Sequence, residues 1–258
     1  MPRFAANLST LFTEHPPIDR FEAAAAAGFK AVEMQFPYDL PVEGIREKLD
    51  ATGLKLVLFN LPPGDWGRGD RGLGALPGRE KELEHAFDRA LSYARVLGTP
   101  MLHVMAGIAP MNLDNAPYLA SFGANLRRLG PKAAGEGVTL MLEPLNTHDN
   151  PGYVISRTEE AIRLIEAIDH PAVRLQLDIY HRQVMQGNLI HAIERAAPVL
   201  GHVQIAGAPD RTEPDRGEIA YGAIFDALDR IGYEGWIGCE YHPTGRTEDG
   251  LGWLDAYR

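Results

Sequence analysis

Apolar and polar positions along the chain fall into a recurring unit. A stretch with helical spacing ends at a glycine, and a short apolar run begins within a few residues. The unit recurs in AAAAAGFKAVEMQF, LDATGLKLVLFN, ARVLGTPMLHVMAG, AAGEGVTLMLEP, PVLGHVQIAG and DRIGYEGWIGCEY. Gly28, Gly53, Gly98, Gly137, Gly201 and Gly232 are each predicted to end a helix in the left-handed conformation, which costs glycine nothing. Residues 3–7 and 173–178 supply two more strands, for a total of eight. Strands separated by helical crossovers pair in parallel, so the pattern predicts an α/β fold, a single (β/α)8 barrel over residues 1–258. An open doubly wound sheet would carry a glycine-rich phosphate turn after an early strand, and none follows Asn7 or Phe36. The longest irregular stretch, Leu61 to Arg79, is too rich in Gly and Pro for a helix or strand. It follows the third strand and is expected to be a lid over the catalytic face.

Alternation within the strands assigns side chains to two faces. Leu140 and Leu142 oppose Thr139, Met141 and Glu143; Val173, Leu175 and Leu177 oppose Arg174, Gln176 and Asp178. Val203 and Ile205 oppose His202 and Gln204, and Ile237 and Cys239 oppose Trp236, Gly238 and Glu240. Glu143, Asp178, Gln204 and Glu240 thus share the axial phase at the C-terminal ends of strands five to eight, where barrel enzymes hold their sites. Taken singly, each has an ordinary reading: a solvated rim acid, a helix cap at Asp178, a loop contact at Gln204. Taken together, three acids converging in a low-dielectric mouth need a cation. Oxygen donors suit Mg²⁺ or Mn²⁺ better than zinc. Glu33, His103 and Asn7 share the phase on strands two, four and one and are expected to line the pocket. Arg174, Gln176 and His202 lie deeper and are expected to balance buried carboxylates.

Composition narrows the function. The net charge of −10 and the lack of a Lys/Arg cluster argue against a nucleic-acid partner. No apolar run is long enough to span a bilayer, and MPRFAANLST does not have the form of a signal peptide. The single cysteine, Cys239, forms no internal disulfide, and a cytoplasmic location is expected. Assembly as a homo-oligomer is left open.

Several motifs resemble the hydroxypyruvate isomerase family among the xylose-isomerase-like TIM barrels: FAANLS, AVEMQFPY, LFN with PPGDW, HVMAG, EPLNTHDNPGY, LQLDIYH, HVQIAGAPDRTEPDRGEI and GWIGCEYHPTG. The resemblance spans essentially the whole chain. It implies an isomerase interconverting hydroxypyruvate and tartronate semialdehyde (2-hydroxy-3-oxopropanoate) through an enediolate. The implied metal ligands are Glu143, Asp178, Gln204 and Glu240, with Glu143 and Glu240 as the acid–base pair. Similarity to the ketose 3-epimerase branch adds His181, three residues after Asp178, and Arg211, one residue out of step with that branch, as substrate-binding groups. Those epimerases carry His where this chain has Gln204, which favours the isomerase branch. The loop EPLNTHDNPGY looks closer to hydroxypyruvate isomerase than to the related 2-oxo-tetronate isomerases. Arg68 and Arg71 could reach a substrate carboxylate from the lid but read more simply as solvated charges. Ketose 3-epimerase, polyol lyase, nuclease and a non-catalytic sugar-binding barrel are the competing readings.

Overall fold

The apolar runs become eight parallel strands that close into a barrel in sequence order, in a computed structural model that describes residues 1–110 and 113–257. The strands are β1 (Arg3–Asn7), β2 (Ala31–Met34), β3 (Lys55–Asn60), β4 (Met101–His103), β5 (Thr139–Leu142), β6 (Val173–Asp178), β7 (Leu200–Ile205) and β8 (Trp236–Cys239). The intervening helices are α1 (Arg20–Ala26), α2 (Val42–Thr52), α3 (Glu80–Leu97), α4 (Ala116–Gly135), α5 (Thr158–Ile168), α6 (Ile179–Met185), α7 (Leu189–Ala196) and α8 (Tyr221–Arg230). β8 pairs with β1, so no strand edge remains open. Among the described residues, no helix is long and apolar enough to cross a membrane.

The predicted alternation holds. Leu140, Leu142, Val173, Leu175, Leu177, Val203 and Ile237 belong to the layer between sheet and helices. Ala5, Ala31, Val57, Leu58 and Met141 form a separate apolar plug inside the barrel. Above that plug, the axial positions turn polar.

Five of the six expected glycine stops have positive φ where a helix ends: Gly28, Gly53, Gly98, Gly137 and Gly232. Gly201 does not. It lies within β7, where the register against β6 slips: Leu175 faces Leu200, but Gln176 faces His202. A Cβ at Gly201 would come within 2.6 Å of Arg174 Cβ and 2.8 Å of Met141 Cε, so glycine is needed for close approach inside the barrel. The preceding helix, α7, stops at Ala196, just ahead of Pro198.

The 61–79 segment is largely irregular, as expected, apart from one 3-10 turn at Trp66–Arg68. Its second half is fastened to the barrel. Gly74 N–H donates to Met105 O at 3.0 Å and Ala75 N–H to Ala106 O at 2.7 Å. Arg79 grips Asp70 with two bonds of 2.7 and 2.9 Å. Trp66, at the tip, is 48% exposed beside the mouth of the barrel and meets the Phe36 ring edge-on at 5.7 Å.

Candidate active site

A cavity of about 300 Å³ opens at the C-terminal end of the strands, and Glu143, Glu240, Gln204, His181, Arg211 and His103 all reach it. Glu143 and Glu240 each stand one residue beyond a strand, β5 and β8, while Asp178 closes β6. Strand geometry therefore aims all three inward. The two halves of Asp178 do different jobs. Oδ1 accepts from Tyr180 N–H at 2.7 Å and caps α6, whereas Oδ2 lies 3.4 Å from Arg211 and 3.7 Å from His181 Nε2. The plain capping role and the site role belong to different oxygens of one carboxylate.

Glu240 is surrounded by donors. Asn7 Nδ2 and Gln35 Nε2 each donate to Oε1 at 3.0 Å, and Arg211 donates to Oε2 at 2.6 Å. Glu143 is different. Oε2 accepts from Gln176 Nε2 at 2.9 Å and lies 3.4 Å from His103 Nδ1, but Oε1 is buried with no partner. Burial first, then the charges of Glu240 and Asp178, push the Glu143 carboxyl well above the usual range. Burial also pushes Asp178 up to about 6, against the pull of Arg211. Desolvation lowers His103 to about 3 and His181 well below its ordinary value, so both rings are neutral. Arg211 is the cation in this ring of acids; its backbone has φ 54, a left-handed conformation unusual for a residue with a side chain. Its Nε–H is buried without a partner.

Glu143, Asp178 and His181 could hold a metal ion, since one ligand atom from each lies within 4.8 Å of the others. The unpartnered Glu143 Oε1 fits that role. His181 fits it less well. Its Nδ1 accepts from the backbone N–H of Asn146 at 3.2 Å, which places the proton of a neutral ring on Nε2. A protonated Nε2 donates to an oxygen and does not ligate a metal. The oxygens of Glu143 and Asp178 are therefore the better ligands, with His181 beside them as a donor. Gln204 donates through Nε2 to Glu33 at 2.9 Å and accepts from Gln176 on Oε1 at 2.7 Å, so its oxygen is engaged by a neighbouring amide.

Two expected positions need revision, and Asp178, whose side chain has no solvent exposure, meets Arg211 and His181 but is not itself a cavity residue. Glu33 does not line the cavity; it is fully buried below the floor, paired with His202. Gln176, expected to balance charge at depth, reaches the cavity and touches Glu143. Asn7 and His103 do line it. Gln35 and Asn146 were not foreseen. Continuing the alternation of β2 by two residues from Glu33 would have found Gln35. Asn146 lies in a loop, where no period applies. Arg71 is stacked 3.7 Å over Trp66 and, like Arg68, is not among the cavity residues.

Acids gathered on the axis of a closed parallel barrel, at its C-terminal mouth, define a carboxylate-centred barrel enzyme. The profile of the xylose isomerase-like TIM barrel family matches residues 21–257, and the chain belongs to that family. Among curated relatives, a 2-oxo-tetronate isomerase of Cupriavidus necator is 47% identical, covering 100% of this chain and 99% of its own. A hydroxypyruvate isomerase of Escherichia coli K12 is 41% identical over the full length of both. A crystal structure described as AP endonuclease, family 2, from Brucella melitensis is 48% identical, with a TM-score of 0.97 and full coverage of both chains.

Proposed function

We propose that this isomerase acts on short 2-oxo acids bearing a hydroxyl on the neighbouring carbon, with hydroxypyruvate and 2-hydroxy-3-oxopropanoate as its substrate pair. The observation that carries this reading is the contrast between two carboxyl groups on one cavity. Glu143 is pushed by burial toward its protonated form, while Glu240 is presented to donors on both oxygens. Two carboxyl groups in opposed environments make an acid and a base. Glu240 takes the proton from C3, and the O3 hydroxyl proton passes to O2 in the enediolate. Glu143 delivers a proton to C2, leaving an aldehyde at C3 and a hydroxyl at C2; exchange with solvent restores the two carboxyl groups. The roles exchange in the reverse direction. A positioned acid or base contributes roughly 10²–10⁴-fold.

His181 Nε2–H is placed to donate to a substrate oxygen. Arg211 is the one Lys or Arg among the described cavity residues and is the group that would meet a substrate carboxylate. Asp178, with Glu143 in its ionised form, would hold a divalent ion, Mg²⁺ or Mn²⁺, which when bound would stabilise negative charge on the substrate oxygens.

Whole-chain identity supports a second member of the same class, a 2-oxo-tetronate, since the relative of that name is 47% identical and the E. coli hydroxypyruvate isomerase 41%. The resemblance of the EPLNTHDNPGY loop to hydroxypyruvate isomerase supports the first. The proton shift is the same in both. Nuclease activity is disfavoured by the net charge of −10 and by a cavity that offers phosphates a single arginine.

The test is a side-by-side assay of hydroxypyruvate, 2-oxo-tetronate, D-fructose and an abasic DNA duplex, before and after EDTA and with Mg²⁺ or Mn²⁺ restored. Turnover is expected on the two acids. Glu143→Gln and Glu240→Gln should each lose at least about 10²-fold in kcat with unchanged circular dichroism. Near wild-type rates in either variant would remove that carboxylate from the chemistry, and cleavage of DNA without isomerisation would overturn the assignment.

A further inference from the structure

Beneath the cavity floor lies a second polar layer that no step above uses. Glu33 is at its centre, with no solvent exposure, and so is His202 beside it. Among the described residues, the side-chain hydrogen-bond partners of Glu33 are all nitrogens. His202 Nε2 meets Oε1, Gln204 Nε2 donates to Oε2 at 2.9 Å, and Asn7 Nδ2 approaches Oε2 at 3.4 Å. Two arms leave this centre. Asn7 Nδ2 also donates to Glu240 at 3.0 Å. Gln204 turns its Oε1 to Gln176, whose Nε2 donates to it at 2.7 Å and to Glu143 at 2.9 Å. One buried carboxylate is thus linked to both members of the acid–base pair.

The direction of each bond follows from that centre. A carboxylate only accepts, so both amides must turn their NH₂ groups toward it. Gln204 then has only its oxygen to offer Gln176, and Gln176 must answer with its NH₂, which leaves Gln176 Oε1 buried and without a partner. An orphaned amide oxygen costs free energy. The orientation of Gln176 is held from two sides, by Gln204 Oε1 in the layer below and by Glu143 Oε2 at the cavity. The barrel also makes room for the arrangement. A Cβ at Gly238, on β8 and separated from β2 by β1, would come within 2.2 Å of Glu33 Oε1.

We propose that Glu33 is a positioning residue: its buried carboxylate, paired with His202, fixes the amide orientations of Asn7, Gln204 and Gln176 and so holds Glu143 and Glu240 in their reactive geometry. The inference rests on reading those two glutamates as the acid–base pair. Glu33 touches no substrate. Its loss is therefore expected to lower kcat and leave KM nearly constant.

A double-mutant cycle on kcat for hydroxypyruvate, with Mn²⁺ at a fixed saturating level, tests the proposal. Glu33→Gln keeps the shape but can present either end of its amide, so kcat should fall roughly tenfold to a hundredfold. Gln176→Leu should cost about the same in the wild type, but less than about twofold in the Glu33→Gln background, because the bond it removes is already misdirected there. Losses that multiply, or a Glu33→Gln protein with wild-type kcat, would overturn the proposal. Should Glu33→Gln fail to fold, Gln204→Met asks the same question one link higher: Gln176→Leu must lose its effect in that background, and retention of the full effect counts against the relay. Failure of the acid–base reading looks different, because Glu143→Gln or Glu240→Gln would then stay active whatever the cycle shows.

Discussion

Asp178 shows how one residue can satisfy local and tertiary demands together. One oxygen ends a strand and starts a helix; the other belongs to a ring of acids balanced by Arg211. Its upward shift to about 6 means the folded, metal-free protein binds a proton there more readily than the unfolded chain does. The stability this group contributes is present at low pH and is lost as pH rises through about 6. Asp178→Asn mimics the protonated state at every pH. In EDTA, the stability of wild type relative to Asp178→Asn, read from urea midpoints, should therefore decline between about pH 4 and about pH 7. A rising difference would mean that Arg211 outweighs burial at this position.

At the scale of elements, strand alternation places functional groups and glycine provides their clearance. Gly53 and Gly201 make the contrast. Gly53 ends α2 with φ 70, and a Cβ there would meet nothing within 4 Å, so its substitution by alanine acts through backbone strain alone, about 1–2 kcal/mol. Gly201 has no such φ but sits against Arg174 and Met141 inside the barrel. Gly201→Ala should cost about 1–3 kcal/mol from overpacking, and it should also slow turnover, because the slipped register sets Gln176 beside His202. Chemical denaturation and kcat of the two variants decide the matter. Equal stability losses with no effect on rate would show that the slip is unconnected with the site.

For the whole molecule, charge and closure work against each other. The chain carries a net −10 and binds, on our reading, a small anion in a cavity with one arginine. The long-range field then opposes substrate entry and local hydrogen bonds must overcome it. Raising ionic strength from about 10 mM to about 150 mM screens that field, so KM for hydroxypyruvate should fall while kcat holds. A KM that rises with salt would show the local field of Arg211 prevailing beyond the mouth. The tip at Trp66, packed edge-on against Phe36, forms one wall of this entrance.

Period and phase alone were enough for eight strands, their direction, and the convergence of Glu143, Asp178, Gln204 and Glu240, because alternation along a strand is a local property that every strand repeats. The same rule, carried two residues past Glu33, contains Gln35. It could not say how deep an axial residue lies. Glu33 and Gln176 share the inward phase with the site, yet one lies under the floor and the other reaches the cavity, since depth depends on how neighbouring strands are staggered. Nor could it separate Gly201 from the helix-ending glycines: all follow a helical stretch and precede a strand, and only the packing of Met141 and Arg174 against the backbone distinguishes them. Hydrogen-bond direction is the last thing to be decided. Whether an amide shows its oxygen or its nitrogen to a catalytic acid is set by groups far apart in sequence, brought together when the barrel closes.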